Sequence, residues 1–197
     1  KGLFDAILVG RRGIGALQKL FMGSVSAHLI ENSPLIPVWM VDGNVFSTRV
    51  MAAVDGSESA LRAVDHLAFI LSGVPAARVC FFHVAPRLRD FCEIDFNRDP
   101  SDEMEALVSR GDRRCMDDFF AAALNKLRAA GFDESQIETR TDATFVSVGE
   151  TILKAAREGG FGTLVMGRRG VNRSFFGGRV SYLVSRDISN AALWMVP

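Results

Sequence analysis

Apolar residues along this chain follow two rhythms. Short unbroken runs, Val50-Met51-Ala52-Ala53-Val54, Val79-Cys80-Phe81-Phe82-His83-Val84, Thr163-Leu164-Val165-Met166 and residues 192–196, predict strands buried on both faces. Residues 137–141 add a shorter strand. Between the runs the spacing lengthens to a helical stripe. Leu61, Val64, Leu67 and Leu71 follow the turn and cap residues Asp55-Gly56-Ser57. A long helix opening at Ser101-Asp102-Glu103 should turn Met104, Leu107, Met116, Phe119, Phe120, Ala123 and Leu127 inward and stop near Gly131. Val148, Ile152, Ala155 and Ala156 mark another helix, and residues 180–189 a last one. Residues 87–100 have no clean period and read as a loop or lid. Strands alternating with helices predict a doubly wound α/β domain, a parallel five-stranded sheet with helices on both faces.

The chain also repeats itself. Phe4 to Gly13 reads FDAILVGRRG and Phe161 to Gly170 reads FGTLVMGRRG. Gly23-Ser24-Val25-Ser26 answers to Gly178-Arg179-Val180-Ser181, and Val38-Trp39-Met40-Val41 to Leu193-Trp194-Met195-Val196. Two rare tryptophans falling in register make chance a poor explanation, and so long a period is a domain duplication rather than a solenoid. Residues 1–42 therefore read as the C-terminal remnant of a first copy, 43–49 as a polar linker, and 50–197 as a complete second copy. The expectation is a piece of a longer tandem protein. The last strand of the remnant is expected to dock against its counterpart at 192–196, within the chain as a pseudo-dimer or across a homodimer.

Composition adds mostly exclusions. With 48% hydrophobic and 23% charged residues the chain can bury a core. Its 23 basic and 23 acidic residues balance, so nothing recommends nucleic acid or an anionic membrane as partner. No apolar stretch reaches the roughly 18–20 residues of a membrane span. Cys80, Cys92 and Cys115 lack metal-ligand spacing and fit a reducing, cytoplasmic location, with Cys80 in the core and Cys92 in a polar loop. His83 reads as a core or rim histidine, His28 and His66 as surface or partly packed, and the tryptophans as packing or interface residues.

The most informative string is Gly10-x2-Gly13-x9-Gly23-Ser24, followed by Ser26. It follows an apolar strand and opens a helix, where glycines permit close backbone approach and free N–H groups attract phosphate. It is neither a Walker A loop nor a dinucleotide fingerprint. With Val54-Asp55-Gly56-Ser57, His83-Val84 and Val165-Met166-Gly167-Arg168-Arg169-Gly170, it resembles the ATP-binding type of universal stress protein, over essentially the whole chain. That resemblance implies strand order 3-2-1-4-5 and ATP, with or without magnesium, as ligand. It implies Asp55 at the ribose or adenine, the backbone of Val84 at the adenine, and the glycine loop at the phosphates. In the complete copy the loop comprises Gly167, Arg168, Gly170, Gly178, Arg179 and Ser181.

The complete copy departs from the pattern where phosphate would sit. Seven residues separate Gly170 from Gly178, where nine separate Gly13 from Gly23, and Arg179 replaces the hydroxyl residue. Arg179 could partner a phosphate or fold across the pocket toward a carboxylate such as Asp55. Asp55 could instead simply cap the following helix. Three functions stay open: an adenine-nucleotide-binding module in stress response or signalling, a structural copy that pairs without ligand, and a weak ATPase or phosphotransferase. The last is disfavoured because no carboxylate lies within the glycine loop. No catalytic or metal-binding residue is assigned.

Overall fold

The unbroken apolar runs become the inner strands of a sheet, because only a strand flanked on both edges and covered on both faces needs no polar side. The computed structural model describes residues 4–11, 22–33, 35–85, 87, 102–143, 147–168 and 179–197. Its strands are β1 (Ile7–Gly10), β2 (Val38–Asp42), β3 (Arg49–Val54), β4 (Arg78–Ala85), β5 (Ile137–Ala143), β6 (Thr163–Gly167) and β7 (Ala191–Val196). Its helices are α1 (Ser24–Asn32), α2 (Glu58–Leu71), α3 (Asp102–Ala129), α4 (Val148–Glu158) and α5 (Arg179–Asp187). The loop or lid expected at 87–100, apart from Arg87, and Cys92 within it, lie outside the described residues, as do Gly13, Gly170 and Gly178.

The sheet corrects the expected five-stranded parallel sheet. Among the described residues seven strands form one sheet in the order β1-β2-β7-β6-β3-β4-β5. Neighbours pair in parallel except β2 and β7, which run antiparallel with Trp39 opposite Trp194. The extra strands come from the N-terminal segment, whose β2 closes the free edge of β7 and so removes a bare row of backbone groups. The antiparallel step also reverses strand direction, so the C-terminal ends of β1 and β2 lie at the edge of the sheet opposite to those of β3, β4 and β6.

Each face carries its own core. On one, α2 and α3 bury Ala63, Val64, Leu67, Met116, Phe119, Ala123 and Leu127 against Ala52, Phe81, Val165 and Trp194. On the other, α1, α4 and α5 bury Ile30, Ile152, Ala156 and Val184, with Ile188 just past the end of α5, against Met40, Met51, Phe82, Leu164 and Met195. Cys80 is fully buried there, as expected, and burial pushes its thiol up to about 12, helped by the neighbouring Glu138. Burying both faces is what lets a strand such as β3 be apolar at every position from Val50 to Val54.

Two residues expected inward are not. Met104 and Leu107 in the first half of α3 are 53% and 63% exposed. The helical stripe is real, but only the second half of this 28-residue helix lies on α2 and the sheet. The first half does make one buried polar contact: His83, buried at the end of β4, meets Asp112 of α3 through Nε2 at 3.0 Å and the carbonyl of Val54 through Nδ1 at 2.9 Å. His28, by contrast, is at the surface beside Asn32.

The tryptophans are packing residues, stacked with ring centroids 4.4 Å apart and planes 11° from parallel. The indole N–H of Trp39 donates to Nε2 of His66 at 3.1 Å, so that nitrogen must carry a lone pair. Burial, partly offset by Asp5 and Asp65, lowers the pKa of His66 below the ordinary value of 6.5. The unfolded chain therefore takes up a proton on falling through pH ~6.5 that the folded chain still refuses, and stability declines from that point downward. The expected result is a urea midpoint for wild type that falls between pH 7.5 and 5.5 more steeply than for His66→Gln, whose amide oxygen can still accept from the indole. Equal slopes in tryptophan-monitored unfolding would contradict this.

Candidate functional site

Three parallel strands set the site. In β6-β3-β4, Ala53 stands opposite Met166 and Val54 opposite His83. One step further on, Asp55, Val84 and Gly167 with Arg168 emerge at one edge of the sheet. In an open α/β sheet, ligands bind at the C-terminal strand ends, in the crevice between neighbouring loops. α5 begins at Arg179 and carries Ser181, which is buried, in its first turn. A helix N-terminus and Arg168 suit this edge to an anion.

The local turns explain part of the pattern without a ligand. Oδ1 of Asp55 accepts from the backbone N–H of Ser57 at 3.1 Å, and Oγ of Ser57 accepts from Ala60 N at 3.0 Å, capping α2. Gly56 holds φ of +77° in this turn, and a Cβ there would come within 2.8 Å of Cys115 Sγ on α3. Asp55 thus organises the helix start whatever else it touches. Gly167 has a comparable structural cause. A Cβ on it would lie 2.5 Å from Ser59 Oγ and 2.7 Å from the Ser59 carbonyl carbon. The close approach that the glycine permits is that of the first turn of α2.

Beside this turn, between α2 and α3, lies a cavity of about 350 Å³ lined by Gly56, Ser57, Glu58, Leu61, Cys115, Asp118, Phe119 and Ala122. Its charged residues are carboxylates, so it is the wrong sign for phosphate. The basic part of the site is at the β6–α5 side.

The N-terminal loop lies elsewhere. Because β1 runs opposite to β6, Gly10, Gly23, Ser24 and Ser26 sit at the other edge of the sheet from Asp55. There Ser26 Oγ donates to the Gly10 carbonyl at 2.7 Å, and Gly23 N donates to the Arg11 carbonyl at 2.8 Å, tying α1 to the end of β1. Buried Arg11 places Nε 3.1 Å from Oδ1 of buried Asp42 and donates through Nη1 to the carbonyl of Arg186 on α5 at 3.0 Å. This bridge ties the ends of β1 and β2 to α5. Its members are far apart in sequence, and the position answering to Asp42 in the similar stretch 161–197 is Pro197, so the similarity of the two stretches gives no hint of it. The described part of the loop is held by main-chain and ion-pair contacts within the protein.

Among the described residues, no three His, Cys, Asp or Glu side chains cluster in a way that could hold a metal ion. No helix among them is long and apolar enough to cross a membrane.

The sequence model of the universal stress protein family matches residues 3–42 and 47–196. No curated protein sequence matches the chain. Among solved structures, a universal stress protein from Archaeoglobus fulgidus is 21% identical, with a TM-score of 0.61 over 98% of this chain, which spans 62% of that protein. One from Burkholderia pseudomallei is 24% identical, with a TM-score of 0.54 over 79% of this chain and 98% of its own. A universal stress protein in complex with cAMP is 22% identical, with a TM-score of 0.51 over 78% of this chain and 99% of its own.

Proposed function

Since this chain belongs to the universal stress protein family, we propose that it is a binding module for an adenine nucleotide, ATP first, serving a stress response or signalling rather than catalysis. One observation carries the reading. Asp55, Val84, Gly167 and Arg168 emerge at a single sheet edge from three adjacent parallel strands, beside the N-terminus of α5. A relative of the same fold was solved with cAMP. Asp55 and the backbone of Val84 serve the nucleoside end; Arg168, Gly170, Gly178, Arg179 and Ser181 serve the phosphates. Magnesium, if it takes part, is held by the nucleotide. Strands β3 to β7, in spatial order β5-β4-β3-β6-β7, make up one full family unit in its 3-2-1-4-5 order. β1-α1-β2 is the matching end of another, paired with the first as a pseudo-dimer.

Calorimetric titration with ATP, ADP, AMP and cAMP, with and without magnesium, tests this. Gly167 is a poor position for the control, since any side chain there collides with α2. Gly170→Val is the better choice and is expected to abolish binding while unfolding stays cooperative. Arg179→Ser is expected to tighten ATP binding about tenfold, ~1.4 kcal/mol, if Arg179 narrows the pocket by folding across it. Weaker binding makes Arg179 a phosphate ligand instead. The antiparallel β2–β7 junction favours one other reading, a copy that only pairs. Finding no binding of any nucleotide would select it.

A further inference from the structure

The two copies inside this chain can be superposed strand by strand, and the comparison exposes one face that is covered in one copy and open in the other. β1 pairs with β2 in the register in which β6 pairs with β7: Leu8 opposite Trp39 where Val165 is opposite Trp194, and Gly10 opposite Val41 where Gly167 is opposite Val196. The same hydrogen bond closes both, from Arg11 N to the Val41 carbonyl and from Arg168 N to the Val196 carbonyl, each at 2.8 Å.

Around β6 and β7 that surface is filled. β3 pairs along the far edge of β6, placing Ala52 opposite Val165. α2 lies over β6 and β7, and Val165, Trp194 and Val196 are buried beneath it. Ser59, in the first turn of α2, sits where a Cβ on Gly167 would be. Around β1 and β2 the counterparts are open. Leu8 is 68% exposed where Val165 is 0%, Trp39 and Val41 are half-buried, and Gly10 is exposed. Among the described residues β1 pairs only with β2, so its other edge offers unpaired backbone groups.

We propose that the free edge of β1, with the Leu8–Trp39–Val41 face, is a docking surface for a parallel strand–helix unit equivalent to β3–α2, supplied by a universal stress protein-type polypeptide. Three features select this occupant. The edge needs a strand, and the repeat makes it a parallel one. The apolar face needs an amphipathic helix above it. Gly10 leaves room for that helix to approach with a small residue in its first turn, as Ser59 does at Gly167. A second copy of this chain pairing β1 to β1 would run antiparallel and would leave Leu8 without a helix over it.

The test places residues 47–157 of this chain ahead of Lys1, which puts the added strand and helix in the register of the repeat. The fused protein is expected to remain monomeric, to slow amide hydrogen exchange in β1 at least tenfold relative to the 197-residue chain, and to blue-shift tryptophan emission. Leu8→Glu is expected to change little in the 197-residue chain and to abolish the added protection in the fusion. The same exchange measurement on the intact chain mixed with separately produced residues 47–157 covers a fusion that does not fold. Unchanged exchange of β1 in both formats overturns the proposal. So does a concentration-dependent dimer of the 197-residue chain that protects β1 unaided and is lost in Leu8→Glu, since the occupant is then a second copy.

Discussion

Trp194→Ala is expected to cost about 3–5 kcal/mol, the range for emptying a large aromatic site in a core. Trp194 is 8% exposed on an inner strand, stacked on Trp39 and met edge-on by His66 from α2. Its removal leaves a void at the antiparallel step of the sheet, where neither β2 nor β6 can close in without breaking register. Trp39→Ala is expected to cost clearly less, although the two positions are equivalent in the repeat. α2 covers Trp194, while Trp39 is half-buried and keeps part of its ring toward solvent. Paired denaturant titrations of the two variants decide the matter; equal losses would mean that coverage by α2 contributes nothing measurable.

The second large effect is expected at His83. His83→Ala removes a ring whose two nitrogens both meet oxygens, leaving the Val54 carbonyl and the Asp112 carboxylate without it. A fully buried pair broken in this way costs about 3–5 kcal/mol; Asp112 keeps some access to water, so about 2–3 kcal/mol is expected here. The loss should be local in part. Hydrogen exchange should rise most in the first half of α3, which has little apolar packing of its own. A double-mutant cycle with Asp112→Ala separates the pair from the packing of the ring, and near-zero coupling would show that His83 acts by volume alone. With both nitrogens occupied, the ring is a fastener between β3, β4 and α3.

Much of this architecture is legible in the chain because burial on two faces leaves a plain trace. β3, β4, β6 and β7 are read directly from their apolar runs, α2 from its stripe and its Ser57 cap, and α4 from its stripe alone. The likeness of residues 38–41 to 193–196 points to the β2–β7 pairing, since two such similar apolar strands have an obvious mutual surface. Less legible is whatever depends on side chains meeting across long separations. His83 and Asp112, or Arg11 and Asp42, carry no local signature. Met104 and Leu107 mislead for a related reason, as helical period reports which residues share a face and not whether anything lies against it. At the site, the glycines are visible, but a single residue type answers to two causes. Gly167 is needed by α2 and Asp55 by a turn, so their presence alone does not argue for a nucleotide.

Strand order also fixes when each part can be placed during synthesis. β2 is complete at Asp42, yet its partner β7 begins only at Ala191, about 150 residues later. At ribosomal rates of 5–20 residues per second, the first two strands therefore wait roughly 7–30 s with their inner edge unpaired and Trp39 unstacked. β3 waits about 110 residues for β6. Crowded polysomes, where several nascent chains expose this same edge at once, are accordingly where mispairing between neighbours should begin, and slowing translation should worsen it. Of the described strands, the pair made earliest is the last to be seated.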